Sequence, residues 1–314
     1  MYPRRLIGLA AVLAICVAGY MTLGAQGSWG FVLPFRGAKL AALLLVALAV
    51  PTSTVLFQTI TQNRILTPSI MGFDALYVLI LTALIFVLGG QEYVRLPVIG
   101  QFVLNVGLLM GAALVLFGTL LSQARQDIMR MILTGIIFGV LFRAVTGFLQ
   151  RMIDPNEYAV VQVNSYARFG RIETDLLLIA AVLAGIALAF AWRMRHRLDV
   201  LELGHDTATN LGETPQRATL QVLVIVAALV SVSTALVGPI VFLGLLVVSL
   251  AHQVTPAARH AVLLPCAVLI CAITLIGGQT VLERVLALST PLSVVIDLLG
   301  GAVFLGLLLK GMSR

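Results

Sequence analysis

The chain has 314 residues, of which 60% are hydrophobic and only 11% charged, and its mean hydropathy is +1.08. A soluble domain carries about a quarter charged residues, so this composition excludes a soluble globular protein and requires lipid as the solvent. The formal net charge of +7 comes from 20 basic residues scattered as punctuation between apolar runs; they form no extended patch for nucleic acid and read as topology signals.

A transmembrane helix takes about 20 mostly apolar residues. The sequence therefore predicts an all-α integral membrane protein of about ten transmembrane helices, with residues 1–314 as one transmembrane domain. The first span, 6–23, follows Arg4 and Arg5 and is read as retained, because the run is long for a signal segment and Ala25-Gln26-Gly27 makes a poor cleavage site. Spans at 38–58, 69–89, 98–121 and 128–150 follow, and then a polar stretch, 151–173, expected to form an outer loop or short re-entrant element. The second half predicts spans at 174–192, 217–236, 240–255, 261–282 and 293–310, with the longest inner polar stretch at 198–216.

With the N-terminus cytoplasmic, twelve of the twenty basic residues fall in inner loops, and the cluster Arg193, Arg195, Arg197 is the strongest local anchor. An even number of spans places both termini in the cytoplasm. Arg36 and Arg284 then fall in outer loops.

Catalytic chemistry has no foothold. Cys16, Cys266 and Cys271 lie in apolar runs without a CxxC pair, and the four histidines show no metal-ligand spacing. A phosphate-binding P-loop needs Gly-Lys, but Lys39 follows Ala38 and Lys310 follows Leu309. The expectation is a chain that is no enzyme and holds no metal or cofactor, so that any ATP hydrolysis belongs to a partner. Three intramembrane charges, Asp74, Arg143 and Asp297, each cost about 2.5–3.5 kcal/mol at a helix centre and count as candidate translocation-pathway residues. Asp74 has two readings: a pathway carboxylate, with or without Arg143 as its partner, or a carboxylate at a helix N-terminus one turn after Pro68. Asp297 is read as pore-lining or paired to an arginine.

Four motifs occur in order. Arg36 precedes a helix that ends near Gln58, followed by the turn Asn63-Arg64-Ile65-Leu66-Thr67-Pro68-Ser69-Ile70-Met71-Gly72. Next come Leu201-Glu202-Leu203-Gly204-His205-Asp206-Thr207-Ala208-Thr209-Asn210-Leu211-Gly212, then Gly238-Pro239-Ile240-Val241-Phe242-Leu243-Gly244-Leu245. The last is Thr290-Pro291-Leu292-Ser293 with Gly300-Gly301-Ala302-Val303-Phe304. Together they resemble FecCD-type permeases of iron-siderophore, haem and cobalamin importers. The departures are Arg64 for the first proline of the turn, Val248-Ser249 for Pro-His, and an altered final outer turn. Read from the residues themselves, Gly204 and Gly212 punctuate a short helix at either end, and Ala208 and Leu211 lie on one face of it.

The resemblance implies a type II ABC importer permease fold. It implies that 198–216, through Gly204, His205, Asp206, Thr207, Ala208, Asn210, Leu211 and Gly212, couples to a cytoplasmic ATPase dimer, and that Arg36 and Arg284 dock a periplasmic siderophore-binding protein. The implied function is translocation of a ferric siderophore across the inner membrane, together with a second permease subunit that is a different chain. Two alternatives stand beside it: a haem or cobalamin permease, and a secondary transporter coupled to an ion gradient.

Overall fold

The computed structural model describes residues 2–24, 28–124, 128–165, 174–256, 259–286 and 292–312. Within these the chain is helical, with no strand among the described residues. In order come α1 (Tyr2–Thr22), α2 (Trp29–Thr61), α3 (Asp74–Leu88), the short α4 (Gly90–Arg95), α5 (Val98–Ala124), α6 (Ile128–Met152) and the short α7 (Pro155–Asn164). The second half holds α8 (Thr174–Arg193), the short α9 (Arg195–Leu201) and α10 (His205–Asn210), α11 (Pro215–Val237), α12 (Leu243–Val254), α13 (His260–Thr280) and α14 (Leu292–Met312).

Eight of these helices are long and apolar enough to cross a membrane; α12 and the described apolar stretch Leu292–Ala302 are shorter. A helix thus stands at each of the ten expected spans. The clearest boundary shift is in α2, which starts at Trp29 and takes Arg36 and Lys39 into its first turns rather than leaving them in a loop. Both cations are accommodated there: Lys39 lies over the Phe35 ring at 4.6 Å, and Arg36 turns back onto α1. Of the polar stretch 151–173, the part up to residue 165 is described. It forms α7, with Pro155 in the first turn and the Asp154 carboxylate accepting from the Asn156 amide at 2.9 Å. Residues 166–173, most of the final outer turn (287–291), Met1 and residues 313–314 lie outside the described residues.

The centre of the bundle is α2 against α11. The second of these also packs on α5 and α8, and the first on α12 and α13. The helix α2 is buried along most of its length, whereas α1, α6 and α8 expose Ile15, Phe148 and Leu178, as helices facing lipid do. At about 1.5 Å per residue α2 is about 50 Å long, and Pro51 interrupts it near the middle. There Ser53 and Thr54 both donate to the Val50 carbonyl at 2.8 Å, which keeps their hydroxyl protons satisfied inside the bundle.

The connection from α2 to α3 is built by local polar contacts. Gln62 takes a left-handed conformation (φ 50°), Asn63 accepts from the Ile65 amide at 2.9 Å, and Gln58 donates to the Arg64 carbonyl at 2.6 Å. This last bond involves Arg64 where the resembled motif has proline. A π-helical turn, Ser69–Phe73, then leads into α3 and bends at Gly72, whose φ is 97°. A Cβ at Gly72 would lie 3.2 Å from the backbone N and Cα of Gly139 on α6. Small residues that let two backbones approach are the usual device for tight helix contact in lipid. Gly72→Ala meets both a left-handed backbone and a rigid neighbour, at a cost of about 1–3 kcal/mol. The purified variant is expected to melt below the parent in detergent. Gly37→Ala, at a position with open space around it, serves as the control and should melt unchanged; an unaltered midpoint for Gly72→Ala would refute the tight crossing.

Candidate functional site

Three regions are candidates for function: the corner where α1 meets α2, a small polar cavity inside the bundle, and the face carrying α9 and α10.

At the α1–α2 corner the last turn of α1 leaves carbonyls without helical partners, and Arg36 takes them. Its Nη1 donates to the carbonyls of Tyr20, Met21 and Leu23 at 2.9–3.0 Å, and its Nη2 to Gly24 at 2.8 Å. Arg36 is only 5% exposed. The expectation of an outward-facing docking residue is corrected here: this guanidinium is buried and spent on four carbonyls, and it anchors α1 to α2. Arg284 sits on the π-helical turn Val281–Val285 at the end of α13. It reaches the same corner, with Cδ 3.5 Å from where a Gly24 Cβ would stand. Its ion pair with Glu283 is loose, at 3.8 Å, and its side chain stays partly exposed.

The cavity lies where the Pro51 region of α2, the turn before α3, and the α11–α12 break meet. Its volume is about 20 Å³, room for about one water. Ser53, Thr54, Thr67, Ser69, Ser233 and Thr234 supply hydroxyls to its wall, and Asp74 supplies a carboxyl. Asp74 hydrogen-bonds Ser69, but its Oδ2 is buried without a partner. Asp74 is at once the first residue of α3 and part of the cavity wall, so both readings keep a structural counterpart. No ion pair joins it to Arg143, an exposed residue whose guanidinium lies back along α6 beside Gly139. Asp297 is not free, and among the described residues it forms no salt bridge: its Oδ1 accepts from the Phe242 amide at 3.1 Å, tying α14 to the N-terminus of α12.

On the third face Gly204, at φ 99°, opens α10, and Gly212, at φ 86°, follows its end, as the sequence predicts. Ala208 is fully buried beneath α10, whereas His205, Asp206, Thr207 and Asn210 are exposed. Leu211 does not share the face of Ala208. The helix has ended by then, and Leu211 points outward together with Leu203, each more than half exposed.

This exposed turn is braced by contacts that sequence spacing did not reveal. Arg197 on α9 donates to both carboxylate oxygens of Glu213, at 2.8 and 3.0 Å, and to Gln221 of α11 at 2.9 Å. The hydrogen bonds from Arg197 hold the Glu213 carboxyl below the ordinary carboxylate range, so the clamp is charged at neutral pH. Asp199 accepts from His260 twice through one oxygen, from the backbone amide at 2.8 Å and from ring Nδ1 at 2.7 Å. The other ring nitrogen lies 2.8 Å from Thr59 Oγ1 on α2. His260 is buried, so α9 is joined to α13 and α2 by one continuous polar chain. Arg64 approaches Glu202 at 3.9 Å. The polar stretch was legible, but its partners lie up to 139 residues away in sequence, a distance over which no local pattern operates. Arg5 also bonds the Val254 carbonyl, placing the start of α1 and the end of α12 together.

The comparisons with known proteins agree with this architecture. A family model described as the FecCD transport family matches residues 6–310. The petrobactin import system permease protein YclO of Bacillus subtilis is 44% identical over 97% of this chain and 96% of its own length. FatC, the petrobactin import system permease protein of Bacillus anthracis, is 32% identical over 88% of this chain and 78% of its own. A solved structure of a metal-chelate type ABC transporter in an inward-facing conformation superposes with a TM-score of 0.82 at 24% identity, covering 99% of this chain and 100% of that one; it shows the fold. Matched over nearly its whole length, the chain belongs to the FecCD transport family.

Proposed function

We propose that this chain is the membrane-spanning permease subunit of an ABC importer that carries a ferric siderophore into the cytoplasm, driven by a separate ATPase dimer. The observation that carries the coupling role is α10: a short exposed helix set between two glycines, with Leu203 and Leu211 turned outward and braced to α2, α11 and α13. An exposed apolar pair on an otherwise polar, rigidly held turn suits a partner's groove. The polar chain Asp199–His260–Thr59 gives a physical route by which movement of α9 and α10 reaches α2 and the cavity. The siderophore reading rests on the two relatives described as petrobactin permeases. A haemin permease and a vitamin B12 permease are each similar at only 26% identity, which favours a siderophore over haem or cobalamin.

The cavity at Asp74 is far too small for a chelated metal, so the cargo route is proposed to lie along the face shared with a second permease subunit, of a different chain. A binding protein is proposed to dock at the outer corner through Arg284, with Arg36 holding the corner's shape. A secondary transporter is disfavoured by the exposed, braced α9–α10 segment, which a carrier driven by an ion gradient would not need.

Three outcomes test this reading. Leu203→Asp with Leu211→Asp changes only exposed side chains, so the permease should insert and fold, while co-purification of the ATPase and uptake should fall at least tenfold. Full association and uptake would remove α10 from the coupling role. Asp206→Cys should be labelled from the cytoplasmic side and protected from an impermeant thiol reagent in intact cells; labelling from outside would invert the topology. Arg284→Glu should slow association of the binding protein most strongly at low ionic strength, because exposed charges act through steering. An association rate equal to that of the parent across salt concentrations would remove Arg284 from docking.

A further inference from the structure

A groove of about 610 Å³ runs between the inner end of α8, with α9, and the first turns of α11. Its wall changes character along its length. Phe190 on α8 and Val224 on α11 form the end deeper in the bundle's apolar zone; Arg193, Arg197 and Gln221 stand at the other, where the two helices meet the polar α9–α10 face. Because α8 runs toward that face and α11 runs away from it, both helices place their polar residues at the same level. The groove is therefore apolar at one end and cationic at the other.

The two cations are in different states. Arg197 is held in place by Glu213, which offsets its charge, and by Gln221. Arg193 is exposed and makes no hydrogen bond or ion pair among the described residues. Next to it the Trp192 ring is exposed, and the Arg195 guanidinium lies 4.8 Å from the ring centroid. An exposed aromatic ring at a helix end beside arginines marks the level of the lipid headgroups.

We propose that this groove is a binding site for one anionic phospholipid, its phosphate at Arg193 and the face of Arg197, its acyl chain along Phe190, Val224 and Ile225. The complementarity is in charge and in sequence of polarity. An anionic headgroup meets the unpartnered cation at the membrane surface, and an alkyl chain continues into the apolar end. Basic pockets between membrane helices on the cytoplasmic side are suited to such headgroups. A zwitterionic lipid would bring its own cation against Arg193, and inorganic phosphate would leave the apolar end unfilled. The site adjoins the Arg197–Glu213–Gln221 clamp, so a bound lipid stiffens the brace of α9 and α10. The inference needs the chain to lie in a bilayer but does not depend on the identity of its cargo.

The test is native mass spectrometry of the permease purified with its partner subunits, supplied with phosphatidylglycerol or phosphatidylcholine at equal concentration. Phosphatidylglycerol should be retained preferentially, and Arg193→Gln should lower its occupancy about fivefold, the effect expected of one basic residue near a headgroup. Arg193→Lys should keep most of it. Arg217→Gln, which removes an exposed arginine of α11 outside the groove, should leave retention unchanged. Equal retention of the two lipids would overturn the site, as would equal losses from Arg193→Gln and Arg217→Gln, which would mean a diffuse surface charge. Full displacement of the lipid by millimolar inorganic phosphate would instead indicate a free-anion site, and cross-linking of a probe at residue 224 to a second permease in place of lipid would show a protein contact. Either result refutes the proposal.

Discussion

Hydrocarbon supplies no hydrogen-bond partners, so every polar group carried into the membrane must find one within the protein. Much of this fold follows from that requirement at the places where helices stop, bend or break. The carbonyls at the end of α1 are met by Arg36. The amide of Phe242, where the chain re-enters helix after Gly238, is met by Asp297. Hydroxyls near Pro51 turn back onto Val50. Two of the charges that are costly in lipid thereby serve as joints between helices.

The requirement is not met everywhere: Oδ2 of Asp74 is buried without a partner, as are side-chain atoms of Gln58, Thr82, Asn105, Ser231 and Gln279, and of these Asp74 is the one that carries a carboxyl group. Asp74 lines a cavity bounded by α2 around Val50–Thr54, the turn Thr67–Ser69 before α3, and the break at Gly238 between α11 and α12. A regular helix pair moves as a unit, whereas such breaks allow parts of a helix to shift separately. The same cavity is connected, through α2, to Thr59 and hence to His260, Asp199 and the α9–α10 face. One helix, α2, thus lines the cavity along its middle and meets the polar α9–α10 face near its C-terminal end.

The sequence showed this unevenly, and for physical reasons. Apolar runs of membrane length are a local property, so the ten helices could be read directly, as could the glycines at 204 and 212. The helix start at Trp29 was hidden because Arg36 and Lys39 look like loop residues; only the fold shows that α1 supplies carbonyls to one and Phe35 a ring to the other. Arg36 was expected at the surface for the same reason. Charge says that a residue needs a partner but not where the partner is, and Asp199–His260, Arg197–Glu213 and Asp297–Phe242 all join segments distant in sequence. Leu211 was placed on the face of Ala208 by helical spacing, which fails once the helix ends.

The central claim is that the chain serves as an ATP-driven permease rather than as a carrier powered by an ion gradient. The direct test is uptake of a ferric siderophore such as ferric petrobactin into proteoliposomes holding the permease subunits and the ATPase, with the binding protein outside. Uptake should require ATP on the ATPase side and persist when a protonophore collapses the proton gradient. Uptake by the permease without the ATPase, sustained by an imposed proton gradient and abolished by the protonophore, would contradict the account.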